Sequence, residues 1–490
     1  MFHSAEAFRA WYLAEANVPQ TSVGEEDGRH MRAEGALSAR AGAASGEVVE
    51  VSRQQLTRAV IASTVGTSIE WYDFFLYGSA AALVFNSQFF PNTDPATGLL
   101  LAFGTYFVGF AARPVGAFIF GHYGDRIGRK ATLVATLLLM GIGTFLVGVV
   151  PPYAAIGVWG GIVLTILRAL QGIGVGGEWG GSVLLSMEWG ARTGKRGFIA
   201  SWPQFGVPVG LLLSNGVLAL VTALTGPNFV TWGWRIPFLL SIVLVGVGLY
   251  IRLGILETPV FSRLLESRRL SAAPAVEVWQ RNWKEVLLTC LLRTGQQAPF
   301  YIFWTFVLAY GTTTLGFSRQ EILNYTLIAS AVSLITVPLW GYVSDRVGRK
   351  RTYIFGAALM IPFSWQYFVL LDTRSAPLVL LAIVLAPVVH DIQYGPQAAF
   401  IAEAFTPRLR YSGASMGYHL ASITAGGPAP IIAAALLAAY GNSLAIVVYM
   451  MICAAISVWS AAMLKDRSAQ VDIDEEYDEH PATAAAVARA

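Results

Sequence analysis

The sequence predicts an all-α polytopic membrane protein, with twelve transmembrane helices in two six-helix bundles. Three observations carry that prediction. Of 490 residues, 55% are hydrophobic and only 13% charged, and mean hydropathy is +0.56; soluble chains carry about 25% charged residues. The apolar residues fall into twelve runs of about 20 residues or more, the length a bilayer helix needs. Finally, GHYGDRIGRK at 121–130 returns as GYVSDRVGRK at 341–350. Each copy follows the second span of its half, so six spans repeat as six.

The runs lie near 58–85, 97–121, 131–150, 156–187, 197–223 and 235–254, then near 284–311, 320–343, 351–371, 376–404, 413–438 and 443–464. Proline and glycine are frequent inside them, as spanning helices tolerate. The loops set orientation. Arg126, Arg129 and Lys130 follow span two; Arg192, Lys195 and Arg196 follow span four; Arg346, Arg349, Lys350 and Arg351 follow span eight. The opposite loops NSQFFPNTDPATG and VPPYAAIG carry no cation, with Arg319 and Arg374 the exceptions on that side. Positive-inside logic puts the basic loops and both termini in the cytoplasm.

Five segments follow. Residues 1–52 read as a disordered cytoplasmic tail without an apolar signal-type run, Met31 being an alternative start. Residues 53–254 form the first bundle, 255–283 an amphipathic cytoplasmic linker, 284–464 the second bundle and 465–490 a disordered acidic tail. Cys290 and Cys453 lie inside apolar runs and indicate neither a disulfide framework nor a metal site.

Ionisable groups at membrane depth are expensive, so they avoid lipid and mark function. Glu70 and Asp73 lie mid-way along the first span, three apart and on one helical face, with Tyr77 a turn further. Arg168 of span four sits about 18 Å into its helix, as Glu70 does, so the two reach similar depth. A cation beside a carboxylate favours its charged form and burial the neutral form. Glu70, Asp73 and Arg168 are therefore the proton-coupling candidates, against a structural ion pair between helices. Arg113 of span two and Arg293 of span seven are suited to holding a carboxylate, although an arginine near the interface also snorkels, Arg113 more readily. Tyr77, Gln171, Gln297, Tyr301, Trp304, Asp391 and Tyr394 complete the substrate-binding candidates. His390 and His419 read as packing or hydrogen-bonding residues. Gly172, Gly176 and Gly180 form a small-xxx-small face on span four.

The loops GHYGDRIGRK and GYVSDRVGRK resemble the repeated cytoplasmic loop of the major facilitator superfamily. That resemblance implies gating roles for Asp125, Arg126 and Arg129, and for Asp345, Arg346 and Arg349. Glu178, Glu188 and Glu403, at the ends of spans four and ten, read as their partners. EWYDFFLYG, RALQGIGVGGEWGG, WRIPFL, RLGILETPVF and YGPQAAFIAEAFTPRLRYSGASMGYHLA look like the superfamily's metabolite:proton symporters, covering Ser52 to Leu464. Members of that family carry shikimate, 2-oxoglutarate, citrate or proline and betaine. Arg168 and Gln171 match its R-x-x-Q-G motif, whose arginine works with a span-one carboxylate.

The resemblance implies proton-coupled symport of a small organic acid, in the inner membrane of a bacterium. The alternative cargo is a zwitterionic osmolyte held by an aromatic cage. The expected partners are the substrate, protons and the lipid bilayer, with no nucleic acid and no obligate protein partner. No P-loop and no H-E-x-x-H occurs, so neither ATP, a metal nor a cofactor is expected. Gly413-Ala414-Ser415-Met416-Gly417 matches the G-x-S-x-G nucleophile pattern but opens an apolar helix instead of a strand-to-helix turn. Helix packing is its reading, not enzymatic hydrolysis; a non-transporting receptor on the same fold is the remaining class.

Overall fold

Each apolar run becomes a long helix, because only internal hydrogen bonding satisfies the backbone away from water. The computed structural model describes residues 53–93, 95–190, 194–254, 258 and 274–467. The first half holds α1 Arg53–Ala80, α2 Pro95–Ile127, α3 Arg129–Val149, α4 Trp159–Trp189, α5 Arg196–Thr225 and α6 Arg235–Leu253. The second holds α7 Trp283–Tyr301, α8 Arg319–Val347, α9 Arg349–Asp372, α10 Ala376–Ala402, α11 Arg410–Ala421 and α12 Leu444–Met463, with Ala429–Tyr440 prolonging α11. By length and composition, nine segments among the described residues can cross a membrane. Outside that set are α1, α2 and α7; in α1 and α7 the polar residues of the site lower the hydropathy.

The spans are not all regular. Wider π turns interrupt them at Ala81–Phe85 after α1, at Ile302–Phe306 and Tyr310–Thr314 after α7, and at Ser422–Gly426 after α11. Such turns gather at functional positions. The tail expectations for 1–52 and for 468–490 fall outside the described residues, as does most of the linker. From the linker, Pro274–Arg281 forms a short helix with Ala275 and Val278 buried. Its Glu277 pairs with Arg281 and with Arg408 at the entrance to α11.

Within the first half, α1 packs on α5, α2 on α4, and α3 on both α4 and α6. The second half repeats the scheme, with α7 on α12, α8 on α10, and α9 on α10 and α12. Between halves, α5 meets α8 and α10, while α2 and α4 meet α11. The small face of α4 is what lets α2 approach. A Cβ on Gly172 would lie 2.3 Å from the Gly109 carbonyl oxygen, and one on Gly176 2.1 Å from that of Arg113. Gly180 turns to the other half, where a Cβ would lie 2.0 Å from Ser415 Oγ. The repeated loops turn at matching glycines: Gly128 has φ 108° and Gly348 φ 102°, a region that penalises any side chain.

Candidate functional site

Helical spacing sets Glu70, Asp73, Phe74 and Tyr77 along one side of α1, and all four are buried. Two arginines from neighbouring helices lie against that side. Arg168 of α4 sits over the rings of Tyr77 (4.4 Å) and Phe74 (5.3 Å) and over Tyr106 of α2 (4.9 Å). Arg113 of α2 sits over Phe74 and Phe110, both at 4.8 Å, and over Trp71 at 5.9 Å. Phe74 thus meets both guanidiniums, and aromatic faces hold each cation without neutralising it.

Arg168 reaches Asp73 through a relay instead of a direct ion pair. Thr144 Oγ1 of α3 donates to Asp73 Oδ2 at 2.8 Å, Gln171 Nε2 donates to Thr144 Oγ1 at 2.8 Å, and Arg168 Nη1 donates to Gln171 Oε1 at 3.2 Å. Asp73 Oδ1, Arg168 Nε and Glu70 Oε2 have no hydrogen-bond partner among the described residues. The expected facing of Arg168 and the α1 carboxylates is therefore indirect. Tyr77 is tied away by donation to Thr105 Oγ1 at 2.9 Å.

Across the midline, Arg293 of α7 donates from Nη1 to the Tyr418 carbonyl at 2.7 Å and to Ser422 Oγ at 3.3 Å. Its guanidinium lies 3.2 Å from the Tyr418 ring centroid. Gln297 Nε2 donates to the same Ser422 hydroxyl at 3.3 Å; Ser422 opens the π turn of α11, which carries its side chain toward α7. Arg113 is only 2% exposed, so it does not snorkel. Tyr301 packs on Phe110 at 5.5 Å and closes the gap between halves.

Asp391 belongs to a separate polar set. Its Oδ1 lies 2.8 Å from His390 Nδ1, its Oδ2 accepts from Thr336, and His390 Nε2 lies 2.8 Å from Gln296 Nε2. A small cavity opens here, bordered by Phe300, Trp304, His390, Asp391 and Tyr394, with Phe75 also in its lining. Trp304 donates to Ser330 Oγ at 3.1 Å and stacks on Phe300 at 5.0 Å. The G-x-S-x-G residues lie buried in helix α11, where a Cβ on Gly417 would sit 2.0 Å from Thr289 Oγ1. They pack helices and present no strand-to-helix turn.

The repeated loops build two matching clusters. Arg129 donates to Asp125 at 3.1 Å and to Glu188 at 3.3 Å. Arg349 donates to Asp345 at 3.2 Å and pairs with Glu403. Each aspartate also reaches into the other half. Asp125 Oδ2 accepts from the Ser412 N–H (3.0 Å) and hydroxyl (2.8 Å) in the first turn of α11. Asp345 accepts from the Gly197 and Phe198 N–H groups, at 2.7 and 2.8 Å, in the first turn of α5. Helix N-termini favour such anions, and these N–H groups have no intrahelical partner.

Three expected gate residues lie outside these two clusters. Glu178 pairs with Arg252 of α6 and accepts from Thr136 and Ser182 inside the first half, away from the loops. Ten residues separate it from Glu188, about 15 Å along a helix, so only one of them reaches the helix end. Arg126 and Arg346 are exposed; Arg126 contacts His122 at 3.3 Å, and Arg346 lies over Tyr342 at 4.5 Å. Thr144 and Arg252 were invisible as site residues, since a lone threonine or helix-end arginine reads as packing or snorkelling.

Comparison with known proteins agrees with this architecture. The chain is 41% identical over 421 residues to the shikimate transporter of Escherichia coli, covering 85% of this chain and 96% of that one. It is 31% identical over 430 residues to a glycine betaine/proline/ectoine/pipecolic acid transporter of Dickeya dadantii, covering 86% and 85%. The proton:xylose symporter XylE bound to 6-bromo-6-deoxy-D-glucose superposes with a TM-score of 0.68 at 18% identity, over 84% of this chain and 97% of that one. The Major Facilitator Superfamily model matches residues 64–428 and 300–486. This multi-pass membrane protein belongs to the Major Facilitator Superfamily of transporters.

Proposed function

We propose that the protein is a symporter that couples proton entry to uptake of a small organic acid by alternating access. The observation that carries this reading is the pair Arg113 and Arg293. Both are buried, they come from opposite halves, and neither makes an ion pair among the described residues. A carboxylate bound between them would compensate buried charge and join the halves, which favours the occluded state. The shikimate transporter at 41% identity supports an acid as cargo.

Coupling is assigned to Asp73, with Glu70 and Arg168 in support. A charged Asp73 draws on Arg168 through Thr144 and Gln171; a protonated one releases that relay. Access would alternate by opening and closing the clusters at Asp125 and Asp345, which positive-inside logic places on the cytoplasmic face with both termini. The osmolyte reading has support in the betaine transporter at 31% identity and in the aromatic wall beside Asp391. Yet both Asp391 oxygens are engaged, by His390 and Thr336, so it offers a quaternary ammonium no free carboxylate.

The test pairs two measurements on one proteoliposome preparation. Asp73→Asn should retain counterflow exchange of a labelled acid and lose accumulation driven by a pH gradient. Undiminished gradient-driven uptake in Asp73→Asn, and also in Glu70→Gln, would overturn the assignment.

A further inference from the structure

We propose that Glu70, Arg113, Arg293 and His419 form a charge-selective carboxylate site that takes monoanionic acids in preference to dianionic ones. This rests on the organic-acid reading and names the class of acid. The four residues come from α1, α2, α7 and α11, two from each half, and all are at least 97% buried. Arg113 lies against Trp71 and Phe74, the residues one and four beyond Glu70 on α1. Arg293 is fixed by the Tyr418 carbonyl and ring, one residue before His419.

The charges that face Glu70 are Arg113, Glu178, Arg293 and Arg252. Glu178 and Arg252 are ion-paired with each other and cancel. Beyond Phe74, Arg168 is answered by Asp73 through the Thr144 relay. The other titratable groups facing the arginines are the phenols Tyr301 and Tyr418 toward both, Tyr106 toward Arg113, and Tyr394, Tyr353 and the Cys290 thiol toward Arg293. With Glu70 ionised, two cations less one carboxylate leave a single positive charge at the centre. One carboxylate from a ligand brings the cluster to neutrality. A second would leave an uncompensated negative charge away from water, which is strongly unfavourable. A dianion therefore enters only if Glu70 first takes a proton.

His419 supplies the uncharged contact. Both of its ring nitrogens lack a hydrogen-bond partner among the described residues and the residue is fully buried. Its charged neighbours are Arg113 and Arg293. A neutral imidazole there offers one donor and one acceptor, which suits a carboxylate oxygen and a hydroxyl on the same ligand. Arg293 Nε is likewise unpartnered, so unused donors concentrate where the anion would lie.

The experiment measures equilibrium binding to the purified full-length protein in nanodiscs, at a pH where all probes are fully ionised. Succinamate and shikimate serve as monoanions, succinate and 2-oxoglutarate as dianions; succinamate and succinate match in shape. Wild type should favour succinamate over succinate by roughly tenfold or more, the scale of one unscreened charge at this depth. Glu70→Gln raises the cluster by one charge and should shift that ratio toward succinate by about tenfold or more. His419→Asn should weaken both probes alike and leave the ratio unchanged. An identical ratio in wild type and Glu70→Gln overturns the charge-selective site while the symport reading stands. Binding of glycine betaine but of none of the acids overturns the organic-acid reading itself. Should Glu70→Gln fail to fold, Arg113→Gln tests the same count from the other side: succinamate affinity should drop by about tenfold or more, and undiminished affinity overturns the proposal.

Discussion

Replacing Asp345 by Asn should open the basic-loop end of the transporter while sparing the central site. Asp345 accepts from two backbone N–H groups at the start of α5 and also holds Arg349. Hydrogen bonds to a charged group contribute about 1.5–3 kcal/mol each, against about 1 kcal/mol for neutral ones. Asparagine keeps one acceptor oxygen without its charge, so the closed arrangement loses about 2–4 kcal/mol. At 1.4 kcal/mol per factor of ten, the open-to-closed ratio rises about 30- to 1,000-fold. Ser201 provides a reporter. It is fully buried on α5, where a Cβ on Gly341 of α8 would sit 2.6 Å away. In a background with Cys290 and Cys453 replaced by Ala, Ser201→Cys should react with a maleimide at least about tenfold faster when Asp345→Asn is added. Equal labelling rates, with the protein folded, would refute the clamp; so would loss of equilibrium substrate binding, because Asp345 lies in the last turn of α8 while Arg113 and Arg293 lie mid-way along α2 and α7.

Thr144→Val removes the hydroxyl that joins Asp73 to Gln171 and leaves both buried groups short of a partner, at a cost of about 1–3 kcal/mol. Gradient-driven uptake should fall at least fivefold relative to counterflow, and Thr144→Ser should restore it; wild-type accumulation in Thr144→Val would show that the relay is idle. Gly172→Val should cut the yield and thermal stability of purified protein sharply, since its Cβ would fall 2.3 Å from the Gly109 carbonyl oxygen and backbone cannot move aside cheaply. Gly216→Ala, with nothing within 4 Å of the added carbon, is the control expected to behave as wild type.

Helix positions were legible because hydropathy runs and helix length are set by the same bilayer. The small face of α4 was legible for a similar reason: glycines four apart admit a neighbouring backbone, and α2 fills the space at Gly172 and Gly176. Local pattern ends where a residue's partner depends on rotation about the helix axis. Arg168 was placed at the correct depth for the α1 carboxylates, yet aromatic rings occupy the direct path and Thr144 of α3 completes the connection. Glu178 lies within a glycine-rich motif that reads as a helix end, but two further turns and more follow it before Gly190. The π turns leave no trace in hydropathy, although the one at Ser422 brings that hydroxyl within reach of Arg293 and Gln297.

The two halves keep their repeat at the loop clusters and abandon it at the centre, and the contrast has a physical reason. Parallel repeats place both loops on the same side of the membrane, so both copies of the cluster lie at one end of the bundle. Asp125, Arg129 and Glu188 correspond to Asp345, Arg349 and Glu403, and each aspartate grips a helix start in the other half. At mid-depth the signs are exchanged. The first helix of one half carries Glu70 and Asp73, where the first helix of the other carries Arg293. Under the 215-residue offset that pairs Glu188 with Glu403 (403 minus 188), Asp391 falls on Gly176 (391 minus 215), so the carboxylate of α10 stands where α4 has only its small face. A symmetric centre would present matched charges on both sides of the midline and hold two like ligands. On the proposed coupling, an asymmetric one sets carboxylates that would accept protons against arginines that would accept an anion, and so would bind two unlike species in the same transit.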